Sequence, residues 1–213
     1  MTKKNRQKIT ARTLIHIPII HGEVDMGTLK ESVYQASLQQ LGVNDWKRKI
    51  DFVDNLWNEI EKIIDELSLS YEKVRIYQDG LPHCGMEVKI VTDIAKKGSR
   101  NHQLLLSLMR KGATIMGTES IELLIEEYNF VKQILAAEIS SDAAKDKVLH
   151  ESLSDTLLKR RDQFIADRIN NTLGTGETGI LFLGMLHSID EFLAEDIRVV
   201  YPLSRYYDQQ RLR

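Results

Sequence analysis

A single cysteine, Cys84, stands in the 213 residues, so no intramolecular disulfide can form and a disulfide-stapled secreted scaffold is excluded. Long apolar runs are missing as well. The longest, Gly179 to Leu186, is far short of the roughly 20 residues that a membrane-spanning helix needs. The basic N-terminus leads into an apolar segment that carries His16 and Pro18 and has no small-residue cleavage site, which argues against a signal peptide. Charge of one sign does not dominate. A net charge of −2 and a pI of about 6.3 give the whole-molecule field no reason to attract nucleic acid or an anionic membrane. Lys3, Lys4, Arg6 and Lys8 at one end, and Arg205, Arg211 and Arg213 at the other, read as solvated termini. Repeats and low-complexity segments are absent, as are a P-loop and a helical zinc-protease motif. Gly174-Thr175-Gly176 does not follow a strand, so it is no dinucleotide fingerprint. These exclusions point to a cytoplasmic globular protein with neither nucleic acid nor a membrane as partner.

The apolar pattern supplies the fold class. Ile-rich Arg12–Ile20, the pair Val74 and Ile76, Ala113–Met116, Gly179–Met185 and Ile197–Tyr201 read as short buried strands. Between them lie segments of helical period. Thr28 and Glu31 stand at capping-box spacing, Gly42 is placed to end that helix, and Asn44 or Asp45 to start the next. Trp46, Ile50, Val53, Trp57, Ile60, Ile64 and Leu67 then form a stripe that packs internally or across a homo-oligomer interface. Further helices are expected over 86–97, from Ser99 to Gly112, after Thr118 with Glu119 in the first turn, and from Ser152 or Ser154 to Leu173. The helix after Thr118 carries Ile121, Leu124, Ile125 and Tyr128 on one face. Strands separated by helices require crossovers, so the expected architecture is a single α/β domain of 1–213: a mostly parallel central sheet flanked by helices, with helical insertions. Within it, 28–70 is a helical segment and 140–151 a polar link.

Ligands of open parallel sheets bind beyond the carboxyl ends of the strands. Here those ends run into His21, Glu23 and Asp25, into Asp79, His83 and Cys84, towards Glu119, and into His187 and Ser188. Imidazoles and carboxylates together can hold a divalent metal or transfer protons. His21, Glu119 and His187 are the candidate metal ligands, and His21, Glu23, Arg161, Asp162 and His187 the candidate catalytic groups. Arg161 and Asp162 interrupt the apolar stripe of Leu157, Leu158, Ile165 and Ile169. An inward guanidinium either pairs with an acid that it orients or binds an anionic substrate group. His16, inside a strand, reads as a hydrogen-bonded core histidine, and His102 and His150 as helix-surface residues. Cys84 beside His83 is more simply an incidental loop thiol than a nucleophile.

In order along the chain, His21-Gly22-Glu23, Gly117-Thr118-Glu119-Ser120, Arg161-Asp162-Gln163-Phe164-Ile165-Ala166 and Gly184-Met185-Leu186-His187 resemble the motifs of the TraB, Tiki and erythromycin-esterase-like superfamily, which includes haem-binding ChaN-type proteins. The resemblance spans about two-thirds of the chain. It implies an α/β fold and a hydrolase-type site, metal-dependent in one branch and an esterase in another, carried by His21 with Glu23, Arg161 with Asp162, and His187. The order His-Gly-Glu differs from the more usual early element of that superfamily. The expected function is therefore an esterase- or peptidase-type hydrolase using a divalent metal or a histidine base and acting on a small-molecule or peptide substrate. Its rival is a non-enzymatic module that binds haem or an anion.

Overall fold

The computed structural model describes residues 12–20, 25, 30–137 and 143–203; the side chains of 30–44, 46, 49, 135–137 and 143–151 lie outside that description. His21 and Glu23, the Thr28 capping box and both basic termini therefore fall outside the described residues. Five strands, β1 (Arg12–Ile19), β2 (Val74–Gln78), β3 (Thr114–Met116), β4 (Thr178–Gly184) and β5 (Ile197–Val200), form one sheet in the order β3-β2-β4-β1-β5. Every pairing is parallel, so the expected α/β class holds. No helix among the described residues is long and apolar enough to cross a membrane.

Strand alternation decides what each face buries. Ile15, Ile17, Ile76, Ile180 and Phe182 point to a first face. There they meet Leu56, Trp57, Ile60 and Ile64 of α1 (Lys30–Glu66), Val91 of α2 (Glu87–Lys96), and Leu105 and Leu108 of α3 (Arg100–Arg110). Leu14, Tyr77, Leu181 and Leu183 point to the second face, against Ile165, Ala166 and Ile169 of α5 (Ala143–Thr172). Helix α4 (Ile121–Ala137) lies beside α5, tied to it by Arg160–Glu126 at 2.7 Å. The chain leaves β2 for the first face, towards α2, and leaves the adjacent β4 for the second, where Ile189 is buried. Neighbouring strands that exit to opposite faces open a crevice at their carboxyl ends.

Several local expectations are corrected. Gly42 does not end a helix: α1 continues through it as one element of 37 residues. A glycine inside a helix costs about 1 kcal/mol, which the buried stripe from Leu56 to Ile64 outweighs. The polar stretch 143–151 is the start of α5 rather than a link, and 138–142 lie outside the described residues. The α4 face of Ile121, Ile125 and Tyr128, which are 42%, 56% and 41% exposed, lines a shallow apolar groove with Pro82, Cys84 and Leu124. His102 is buried, not on the surface. Its Nδ1 lies 2.8 Å from Ser99 Oγ, which donates to Asp25 Oδ1 at 2.5 Å and also caps α3 by accepting from the His102 N–H. His16 is buried as expected, but its Nδ1 has no hydrogen-bond partner among the described residues. The side chain of His150 lies outside the description.

The burial of β4 on both faces has a direct consequence for stability. Phe182→Ala, at a fully buried position in the middle of β4, is expected to cost about 3–5 kcal/mol in urea denaturation. Leu186→Ala, at a residue 83% exposed just beyond the same strand, is expected to stay within about 0.5 kcal/mol.

Candidate metal centre at the strand ends

Asp79 follows β2 directly. Its N–H extends the ladder to Phe182 O at 2.9 Å, and its Oδ2 accepts the Gly184 N–H at 2.9 Å, so the carboxylate spans the ends of β2 and β4. Gly80, at φ 72°, then turns the chain in a conformation that side chains rarely adopt. The loop returns alongside β3: Glu119 N–H donates to Leu81 O at 3.0 Å, and His83 N–H to Glu119 O at 2.8 Å. Gly117 makes this approach possible, since a Cβ there would lie 2.4 Å from the Cα of His83. Glu119 is thus fixed by main-chain pairing two residues before α4 and is wholly buried, instead of standing in the first turn of that helix.

Helix α5 brings Arg161 and Asp162 into the same space, because one turn further on Ile165 and Ile169 hold that side of the helix in the core. Arg161 Nη2 donates to Glu119 Oε1 at 2.6 Å and to Asp79 Oδ1 at 2.8 Å. Its Nε donates to Glu119 Oε2 at 3.3 Å, and its Nη1 pairs with Glu127 of α4. One guanidinium therefore serves three carboxylates. Asp162 turns the other way: Oδ1 lies 2.5 Å from His187 Nδ1, and Oδ2 accepts the Ser188 N–H at 3.0 Å. A carboxylate can only accept, so Nδ1 carries a proton, and in the neutral ring Nε2 presents its lone pair. That Nε2 is 3.7 Å from Asp79 Oδ2.

The electrostatics follow from this crowding. Burial drives Glu119 above its ordinary value; Arg161 offsets the shift in part, and the negative charge of Asp79 adds to it. Burial would lower Arg161, but its bonds to Glu119 and its attraction to Asp79 and Glu127 prevail and raise it. The guanidinium stays charged while the acids compete for it.

One donor atom each from Asp79, Glu119 and His187 lies within 4.8 Å of the others, a set that could hold a metal ion. Two donors 3.7 Å apart can share an ion at about 2 Å from each. Of the residues anticipated from sequence, Glu119, Arg161, Asp162 and His187 come together. Asp25 does not join them among the described contacts; it lies against Ser99 and His102. His83 and Cys84 are exposed, with His83 Nδ1 3.5 Å from Glu87 and 3.4 Å from Arg168. Asp79 was visible only as a strand-end acid, and Glu127 gave no signal, since it meets Arg161 across two helices.

No family model, no curated protein and no solved structure matches the chain. The site's chemistry is accordingly argued from its own residues.

The raised Glu119 sets a pH dependence. A carboxyl that binds its proton more tightly when folded favours the folded state below its ordinary value of 4.5, and that contribution is lost as pH rises through the raised value. Denaturation across this window is expected to show wild-type stability declining relative to Glu119→Gln as pH rises; parallel profiles would contradict it.

Proposed function

We propose that the protein is a divalent-cation-dependent hydrolase of esterase or peptidase type, with its site on Asp79, Glu119 and His187. The observation that carries this reading is the convergence of those three side chains at the carboxyl ends of parallel strands. Four carboxylates, Asp79, Glu119, Glu127 and Asp162, surround one guanidinium and one imidazole, so the cluster has negative charge to spare. A cation neutralises that surplus, and a haem propionate or other anion would add to it.

A divalent ion held by these residues would polarise a substrate carbonyl and acidify bound water. The chain's own groups prepare that chemistry. Asp162 fixes the His187 tautomer that leaves Nε2 free to bind a cation or take a proton. Arg161 braces Asp79 and Glu119 so that both carboxylates point inward. With its nitrogens so engaged, Arg161 acts in this reading by orienting acids rather than by binding substrate. Met185 and Leu186, exposed beside His187, are placed to meet an incoming substrate. The resemblance of the Arg161-Asp162 and Gly184–His187 segments to the TraB, Tiki and erythromycin-esterase-like superfamily supports the same class, and His21 and Glu23 remain its proposed further members.

Calorimetric titration of the purified, metal-stripped protein with Zn²⁺ or Mn²⁺ is expected to show one site whose filling releases protons, seen as a buffer-dependent heat. His187→Ala should abolish that binding, and Asp162→Asn should weaken it by about 10–100-fold. Hydrolysis of a panel of aryl esters and dipeptides should fall in step. Absence of metal binding, together with hydrolysis indifferent to His187→Ala, would overturn the proposal.

A further inference from the structure

His16 is a buried titratable group that the metal centre does not use. Leu14 packs on the second face, and alternation points His16 the same way. β1 lies between β4 and β5, so the connection from β4 to β5 has to pass across it. That connection contains Ile189, buried on the second face, and Phe192 and Leu193, packed against it. It therefore runs over His16, and His187 and Asp190 both lie on it.

Three features define the surroundings. The ring of Tyr201, just beyond β5, lies 5.1 Å from the His16 ring. The Tyr201 hydroxyl donates to Asp190 Oδ2 at 2.5 Å, so that carboxylate is already engaged. Nδ1 of His16 is enclosed and has no hydrogen-bond partner among the described residues, although buried polar atoms are nearly always satisfied. Burial holds His16 below its ordinary value; the charge of Asp190 opposes this and that of His187 adds to it. An enclosed imidazole nitrogen left in this way calls for a partner small enough to reach it, and water is one.

We propose that His16 is a positioning residue of the site, whose Nδ1 accepts a hydrogen bond from a water molecule held beneath the β4–β5 connection and supplied to His187. The role at His187 rests on the hydrolase reading, whereas the held water does not. A buried nitrogen without a protein partner is ordinarily met by an ordered water, and no described residue bonds this one.

Two substitutions and one spectrum test the assignment. His16→Phe keeps the ring and removes the acceptor; His16→Asn keeps an acceptor near Nδ1. The Phe variant is expected to melt at or above the wild-type temperature, to lose at least tenfold in kcat on the most active ester of the panel, and to change KM by less than twofold. The Asn variant is expected to regain most of that kcat. In wild-type protein, ¹⁵N shifts of the His16 ring are expected to show Nε2 protonated and Nδ1 accepting a hydrogen bond. A proton on Nδ1, a free Nδ1 lone pair, a lowered melting temperature in His16→Phe, or kcat indifferent to it would each overturn the proposal. A wild type without hydrolysis but with the accepting Nδ1 would sink the hydrolase reading and the supply of water to His187, and leave the held water standing.

Discussion

Arg161 is the tie on which the carboxyl end of the sheet depends. It projects from α5 and bonds Asp79 at the end of β2, Glu119 beyond β3, and Glu127 on α4, so one side chain joins four elements. Hydrophobic packing brings α5 against the second face through Ile165 and Ile169, but apolar contacts tolerate sliding. A planar guanidinium with fixed donor directions does not. The buried ion group is no strong source of net stability, because desolvation offsets most of the attraction. What it supplies is arrangement. With Arg161 withdrawn, Asp79 and Glu119 would be buried like charges, and the main-chain bonds that close the loop from 79 to 86 on Glu119 would have to hold against their repulsion.

The tie is also incomplete, and the incompleteness gives the site its character. Arg161 brings one positive charge to three acids, and Asp162 brings a fourth acid that spends its two oxygens on His187 and on the Ser188 N–H. Asp162 and Asp79 thus have different tasks though both are buried. The first is fully occupied in orienting an imidazole and a backbone turn. Asp79 gives Oδ1 to Arg161 and Oδ2 to the Gly184 N–H, and that Oδ2 also faces His187 Nε2. An oxygen and a nitrogen lone pair facing each other across 3.7 Å is an arrangement that a proton or a cation stabilises.

The strand ends were legible because apolar runs stop abruptly at Asp79 and near His187, and the direction of parallel strands places such stops at one edge. Arg161 and Asp162 were legible because two charges interrupt a helical apolar stripe. What escaped depends on contacts between distant segments. His102 looked like a surface residue because its burial requires Asp25, 77 positions away in the sequence but 3.3 Å away in space. The apolar face of α4 is readable from its spacing, but its exposure is not, because the pattern does not say what packs against it. Gly42 carried a local stop signal that the packing of α1 further along overrides.

The two ends of the sheet are built on different terms, and the contrast bears on where function resides. At the amino end, Arg12 makes a bidentate pair with Asp196 and also donates to the last carbonyls of α5, Asn170 O at 2.6 Å and Leu173 O at 3.2 Å. Beside it, Arg75 grips both oxygens of Glu177. Those charges are matched and partly open to water, as groups selected for holding strands together should be. The opposite end has an unbalanced acid cluster. Below or beside it lie Gln78 Oε1, immediately before Asp79, both amide atoms of Asn101 in the first turn of α3, and Nδ1 of His16, all buried without a partner among the described residues. Left dry, such an atom would cost about 1–3 kcal/mol, so water or a ligand is its expected partner. A chain that satisfies its polar groups at one edge of a sheet and leaves them wanting towards the other has been shaped for something besides stability there, and the edge it leaves wanting is the one where parallel sheets bind their ligands.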